Sequence, residues 1–182
     1  MVDEQDLLLR AKQLDSTALG LIYDYFSPPI YRYAYHLLGD PDLAEECLAD
    51  TFKRFLQVIE GGKGPHSHLK AYLYRIAHNW ITDHYRYRRI NDIELSENLI
   101  DDKSDPHVEV HRKFERDNLR QIIQKLTPEQ QRVIVLRYVD EYENEEVAKI
   151  MNKSIGSVKA LQHRALGALR QYLIKDGLKE QK

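Results

Sequence analysis

The sequence predicts an all-α protein built from two small helical domains joined by an acidic linker. Three observations carry that prediction. Apolar residues recur at three- and four-residue spacing along most of the 182 residues, and no stretch alternates as a strand would. Strong helix start and stop signals divide the chain into short segments. Between residues 90 and 107 the periodicity collapses into Asp101-Asp102-Lys103-Ser104-Asp105-Pro106, which is turn and linker chemistry. The expected division is a first domain over 1–90, a linker over 91–109 and a second domain over 110–182.

Asp15 and Ser16 can cap a helix with Ala18, Ile22, Tyr25 and Phe26 on its apolar side. Ser27-Pro28-Pro29 is expected to interrupt it, with Ser27 capping a new helix that begins at Pro28. Ile30, Ala34, Leu37 and Leu38 then face inward, and Gly39 is a natural left-handed C-cap. Asp40-Pro41 starts a helix reaching about Ile59. One of its faces carries Ala44, Cys47, Leu48, Thr51, Phe52, Phe55 and Leu56, and the other Glu46, Ala49, Asp50 and Lys53. Cys47, the single cysteine, lies in the apolar stripe and reads as a small buried hydrophobe. Residues 61–65 form a loop, and Ser67 can cap the next helix, from Leu69 to Arg88. Its expected buried face is Leu69, Tyr72, Leu73, Ile76, Ala77 and Trp80, while Arg75, Asn79, Thr82 and Arg86 line up outside. Tyr74, His78, Tyr85 and Arg89 are expected beside them. Rings interleaved with cations and an amide suit single-stranded nucleic acid, although a solvated tyrosine-rich face is the plainer alternative.

In the second domain a helix resumes near Val108. Thr127-Pro128-Glu129-Gln130 then reads as a capping box with proline at the first helical position. Residues 143–170 read as two short helices around the turn Asn152-Lys153, the second capped by Ser154. Its inward side is Ile155, Val158, Leu161, Ala165, Leu169 and Tyr172. Gly156, Ala160, His163 and Gly167 form a slim outer ridge, edged by Lys159, Arg164 and Arg170. No acid occurs between Lys153 and Lys175. A slim, uncharged ridge with cationic edges suits a major groove, the cations reaching phosphates.

The formal net charge of −2 conceals two basic islands, at 70–89 and 153–175, with an acidic bridge between them. Polyelectrolytes respond to the local field, because screening removes charges beyond roughly 8–10 Å at ordinary salt. One cysteine excludes an internal disulfide and a Cys-x-x-Cys metal site. No apolar run approaches a membrane span, so membrane insertion is not expected and the protein is read as cytoplasmic. His66/His68 and His107/His111 have spacings compatible with a metal, but they sit in a loop and a linker without further ligands. No catalytic residue, metal or cofactor is therefore expected.

Together these pieces resemble the small bacterial RNA polymerase sigma factors of the extracytoplasmic-function group, over nearly the whole chain. LTPEQQRVIVLRYVDEYENEEVAKIMNKSIGSVKALQHRALGALR is similar to their region 4, which binds the −35 promoter element. LGDPDLAEECLADTFKRFL is similar to regions 2.1–2.2, which dock on the clamp helices of the polymerase β′ subunit. LKAYLYRIAHNWITDHYRYRR is similar to regions 2.3–2.4, which melt and read the −10 element. There is no region 3. The resemblance implies −35 contacts from Ser157, Lys159, Ala160, His163 and Arg164, and −10 contacts from Arg75, Asn79, Tyr85 and Arg86 beside the 61–68 loop. It implies a polymerase-facing surface at Glu46, Asp50, Phe52 and Lys53. The implied partners are core polymerase, through the β′ clamp helices and the β flap, promoter DNA, and an anti-sigma factor where one exists. Ala49 stands where the family usually has a polymerase-contacting glutamine, and Glu143 replaces the usual serine cap, leaving Asn144 as the expected cap. A stand-alone helix-turn-helix regulator with an N-terminal sensing or dimerisation domain is the rival reading; it predicts a palindromic site and binding without polymerase.

Overall fold

The computed structural model describes residues 4–92 and 122–177, with side chains for 4–87 and 122–174. The first half packs four helices: α1 (Glu4–Ala11), α2 (Ser16–Leu38), α3 (Pro41–Glu60) and α4 (Leu69–Asp92). Residues 122–124 are helical. The second half continues with α5 (Pro128–Ile134), which runs into a π-helical turn at Val135–Val139, then α6 (Asn144–Met151) and α7 (Ile155–Gly177). No strand occurs among the described residues.

Several starts follow from the capping signals. Asp15 accepts from the N–H groups of Thr17 and Ala18 at 2.9 and 3.3 Å, and Asp40 from those of Asp42 and Leu43 at 2.8 and 3.0 Å. Thr127 and Gln130 form the reciprocal capping box. Gly39, at φ 83°, closes α2 as a left-handed cap.

Other local expectations fail, each for a physical reason. Pro28 and Pro29 do not interrupt α2, which runs unbroken from Ser16 to Leu38. Proline forfeits a backbone hydrogen bond, but Ile22, Phe26, Ile30 and Ala34 stay in phase on one buried stripe across the pair, and that burial outweighs the loss. Tyr25, expected inward, is exposed, because that stripe advances four residues at a time and leaves position 25 beside it. Leu56 and Ile155 are likewise exposed, at the edges of their helices' buried stripes. The short helix α1 carries no strong sequence signal; it buries Leu7, Leu8 and Ala11 and sets Glu4 against the start of α4. There the Glu4 carboxylate accepts from the backbone N–H of Lys70 at 3.0 Å, filling the role expected of Ser67. In α6 the cap position belongs to Glu143, with the Glu146 carboxylate accepting its N–H at 3.3 Å, and Asn144 is already helical.

The core of the first half runs through Ile22, Tyr33, Phe55, Leu69 and Leu73, and that of the second through Val133, Leu136, Val147, Val158 and Ala165. Cys47 is buried, and desolvation pushes its thiol up to about 12, so it packs as an apolar group. The two halves touch where α4 meets α6 and α2 meets the π-helical turn. Lys70 Nζ lies 2.8 Å from Glu146 Oε1, and the buried Tyr74 hydroxyl donates to Asp140 Oδ2 at 3.2 Å. Helix α4 overruns the expected domain boundary by two residues, to Asp92; the rest of the expected linker, and the start of the helix expected near Val108, fall outside the described residues.

Candidate nucleic-acid interface

The second helix of the hairpin is positioned by two local devices. Asn152, at φ 53°, adopts the left-handed conformation that ends α6. Ser154 Oγ then accepts the Ser157 N–H at 3.2 Å and lies 2.9 Å from the Ser157 hydroxyl. Helix α7 is held from beneath by fully buried Val158 and Ala165, with Leu161, Leu169 and Tyr172 half-buried. Its free side carries Gly156, Ser157, Lys159, Ala160, His163, Arg164, Gly167 and Arg170, all exposed. The five residues expected at the −35 element therefore share one solvent-facing strip. Gln162 donates to the Tyr138 hydroxyl at 2.7 Å at the flank of that strip. This link joins two different helices, so periodicity along either one gives no hint of it.

On α4 the outward alignment holds, with Arg75, Asn79, Thr82 and Arg86 exposed. Arg75 stacks over the Tyr72 ring at 5.7 Å, and Trp80 lies parallel to His84 at 5.3 Å. The expected aromatic row beside them is largely absent from this surface. Tyr74 is fully buried. His78 is half-buried, and its Nδ1 lies within hydrogen-bond distance of the Tyr33 hydroxyl, at 3.0 Å. Burial, with the Arg132 charge nearby, pushes the His78 imidazole down to about 3. Tyr85 is half-buried with its hydroxyl donating to the Leu37 carbonyl at 2.5 Å, so its ring is anchored to α2. The physical reason is a rotation of the buried stripe. Leu69, Leu73, Ala77 and Ile81 pack inside the first half, while the row Lys70, Tyr74 and His78 faces the second half of the chain. A second packing surface is invisible to a helical wheel drawn for one domain.

On α3, Glu46 and Lys53 are exposed, and Asp50 pairs with Arg54 at 2.5 Å. Phe52 is 7% exposed and packs on Tyr23, ring centroids 4.8 Å apart, so it supports that face from below rather than forming it.

His66 lies in an exposed loop with its Nδ1 3.4 Å from Lys12 Nζ; His107 and His111 fall outside the described residues. Among the described residues no cluster of three or more His, Cys, Asp or Glu side chains could hold a metal, and no helix is long and apolar enough to cross a membrane.

Both halves of the chain match known protein families. Residues 22–90 match the family described as Sigma-70 region 2, and residues 116–169 the one described as Sigma-70, region 4. The chain is 30% identical over 175 residues to the ECF RNA polymerase sigma factor BldN of Streptomyces coelicolor, covering 94% of this chain and 66% of that one. It is 32% identical over 152 residues to the RNA polymerase sigma-E factor of the same organism, covering 80% of each. In fold it is similar to CnrH, solved in complex with the cytosolic domain of CnrY, at a TM-score of 0.72 and 20% identity over 95% of this chain and 98% of that one.

Proposed function

The chain belongs to the extracytoplasmic-function group of the sigma-70 family, and from that premise we infer that it binds bacterial core RNA polymerase and directs promoter recognition, melting and initiation. The observation that carries the reading is the pair of separate exposed cationic faces, one on the hairpin helix α7 and one on α4. The bond-forming chemistry of RNA synthesis belongs to the polymerase, and this chain works by binding alone, in the cytoplasm.

At the −35 element, the ridge of Gly156, Ala160, His163 and Gly167 enters the major groove. Lys159 and Arg164 reach phosphates on either side, and Ser157 approaches the backbone near the helix start. A helix N-terminus also presents free N–H groups to phosphate. At the −10 element, Arg75 and Arg86 hold the separated strand electrostatically, while the Asn79 amide offers a donor and an acceptor to an unpaired base edge. Tyr85 fixes the outer part of α4 against α2, so its role there is positioning. The Glu46, Asp50 and Lys53 face of α3, backed by Phe52, meets the polymerase clamp.

The test is to mix the purified chain with bacterial core polymerase and promoter DNA and assay run-off RNA. A discrete promoter-dependent transcript is expected; failure to bind core would overturn the reading.

A further inference from the structure

Helix α1 carries none of the residues assigned to promoter DNA, yet it fastens the 61–68 loop at two points. Glu4, Leu8 and Lys12 recur at four-residue spacing and so share one side of the helix, about 12 Å from end to end at 1.5 Å per residue. Leu8 is buried between them, and the Lys12 N–H bonds the Leu8 carbonyl at 3.1 Å, continuing the helical pattern past Ala11. At one end of that row Glu4 caps α4, accepting the Lys70 N–H at 3.0 Å just beyond the loop. At the other end Lys12 Nζ lies 3.4 Å from His66 Nδ1, within the loop. Both side chains precede residue 22, where the match to Sigma-70 region 2 begins.

The loop is closely fitted to that row. The Lys63 N–H bonds the Val58 carbonyl at 3.0 Å, folding the chain back over the end of α3. Gly64 is buried, and a Cβ there would stand 2.5 Å from Ile59 Cδ1 and 3.6 Å from Lys12 Cε. Ile59 is itself buried and has no room to step aside, so only glycine lets the loop lie flat beneath the Lys12 stem. Beyond Gly64, His66 is exposed. A lysine ammonium has three donors and no acceptor. In this contact the neutral His66 ring therefore accepts at Nδ1 and keeps its proton on Nε2, where it can meet an outside acceptor.

We propose that Lys12 is a positioning residue for recognition of the −10 element. Anchored on α1, it holds the His66 ring in one tautomer and one orientation, so that the Nε2–H donates to an acceptor on the edge of an unpaired base. The proposal rests on the promoter reading above and deepens its −10 contact. Without the ammonium the ring turns and exchanges tautomers, presenting a donor or a lone pair at the same place. Discrimination between bases then falls, while the electrostatic hold of Arg75 and Arg86 on the strand is untouched.

The test uses the full chain with bacterial core polymerase and a promoter library randomised across the −10 element, with initiation read for each base at each position. Lys12→Met keeps a stem over Gly64 and removes the donors, and His66→Ala removes the ring. Each should flatten the preference at the same single position by about fivefold, the worth of one hydrogen bond. The double variant should flatten it no further than His66→Ala alone, because Lys12 acts through His66. Lys12→Arg, again a cation with donors only, should restore the preference. Helical circular dichroism checks that each variant folds. Nitrogen-15 shifts of the assigned imidazole, recorded on the chain without DNA at alkaline pH, should show His66 protonated at Nε2, and Lys12→Met should bring in the Nδ1–H form. A wild-type ring protonated at Nδ1 would overturn the proposal before any promoter is added. So would an unchanged preference in Lys12→Met, an effect at a position that His66→Ala does not touch, or losses that add in the double variant; in each case wild-type initiation would leave the promoter reading standing. If the wild-type chain failed to bind core polymerase, the promoter reading would fall and the proposed role of Lys12 with it.

Discussion

Substituting His78 by glutamine should flatten part of the pH dependence of stability. In the folded chain the imidazole is neutral, since burial plus the nearby Arg132 charge hold it down at about 3, with Nδ1 3.0 Å from the Tyr33 hydroxyl. In the unfolded chain the same group returns to 6.5. A base whose folded value is depressed contributes stability that is present above 6.5 and is lost as pH falls toward the folded value. Between pH 7.5 and 5 the unfolded state takes up almost a full proton that the native state refuses, a loss of about 2 kcal/mol. Asp140 acts in the opposite direction. Its burial raises the carboxyl from 3.8 to about 6, so the native state binds the extra proton and gains stability as pH falls through that window. The wild-type profile is therefore a partial cancellation, and the difference between wild type and His78→Gln isolates the histidine. Glutamine can still hydrogen-bond the Tyr33 hydroxyl but does not titrate. Urea unfolding followed by circular dichroism, at steps from pH 7.5 to 5, should show the wild type losing about 2 kcal/mol relative to the variant. Parallel profiles would refute the neutral, buried assignment and with it the packing of the α4 row Lys70, Tyr74 and His78 against the second half.

Other substitutions test other parts of the account. Asp140→Asn should steepen the loss of stability from pH 7 to 5, since the compensating proton uptake is gone; urea midpoints across that range would show it. Thr127→Ala removes the side-chain acceptor of the α5 capping box and should cost about 1 kcal/mol in urea unfolding at constant pH. Asn79→Ala should relax base preference within the −10 element more than it changes overall affinity, read by initiation from a randomised element; an unchanged preference would remove Asn79 from the pocket.

Much of the fold is legible in the sequence because short-range chemistry dictates it. Asp15, Asp40, Thr127 and Ser154 sit at helix starts where their side chains accept backbone N–H groups, and Gly39 and Asn152 adopt the left-handed turns their types allow. The α7 strip is legible for the same reason: Val158 and Ala165 fix its inner face by periodicity alone, so Lys159, His163 and Arg164 must lie outside. What escapes depends on neighbours distant in sequence. The proline pair in α2 reads as a break because the benefit of keeping Ile22, Phe26 and Ile30 on one stripe comes from α3 and α4. Glu4 caps α4 from 66 residues away. Tyr74 and His78 read as surface residues because nothing along α4 announces that a second domain covers them.

The central claim is that one chain grips two promoter elements, one as duplex and one as separated strands. Permanganate reactivity of thymines, read together with a footprint of the polymerase–promoter complex, tests it most directly. With the wild-type chain, protection at −35 and reactive thymines at −10 are expected together. Lys159→Ala/Arg164→Ala should abolish both while keeping core affinity, and should lower the salt slope of promoter binding by roughly 0.9 for each phosphate no longer neutralised. Arg75→Ala/Arg86→Ala should keep the −35 protection and abolish the reactive thymines. If the first pair still opened the promoter normally, or the second pair left the thymines reactive, the two-grip account would be contradicted.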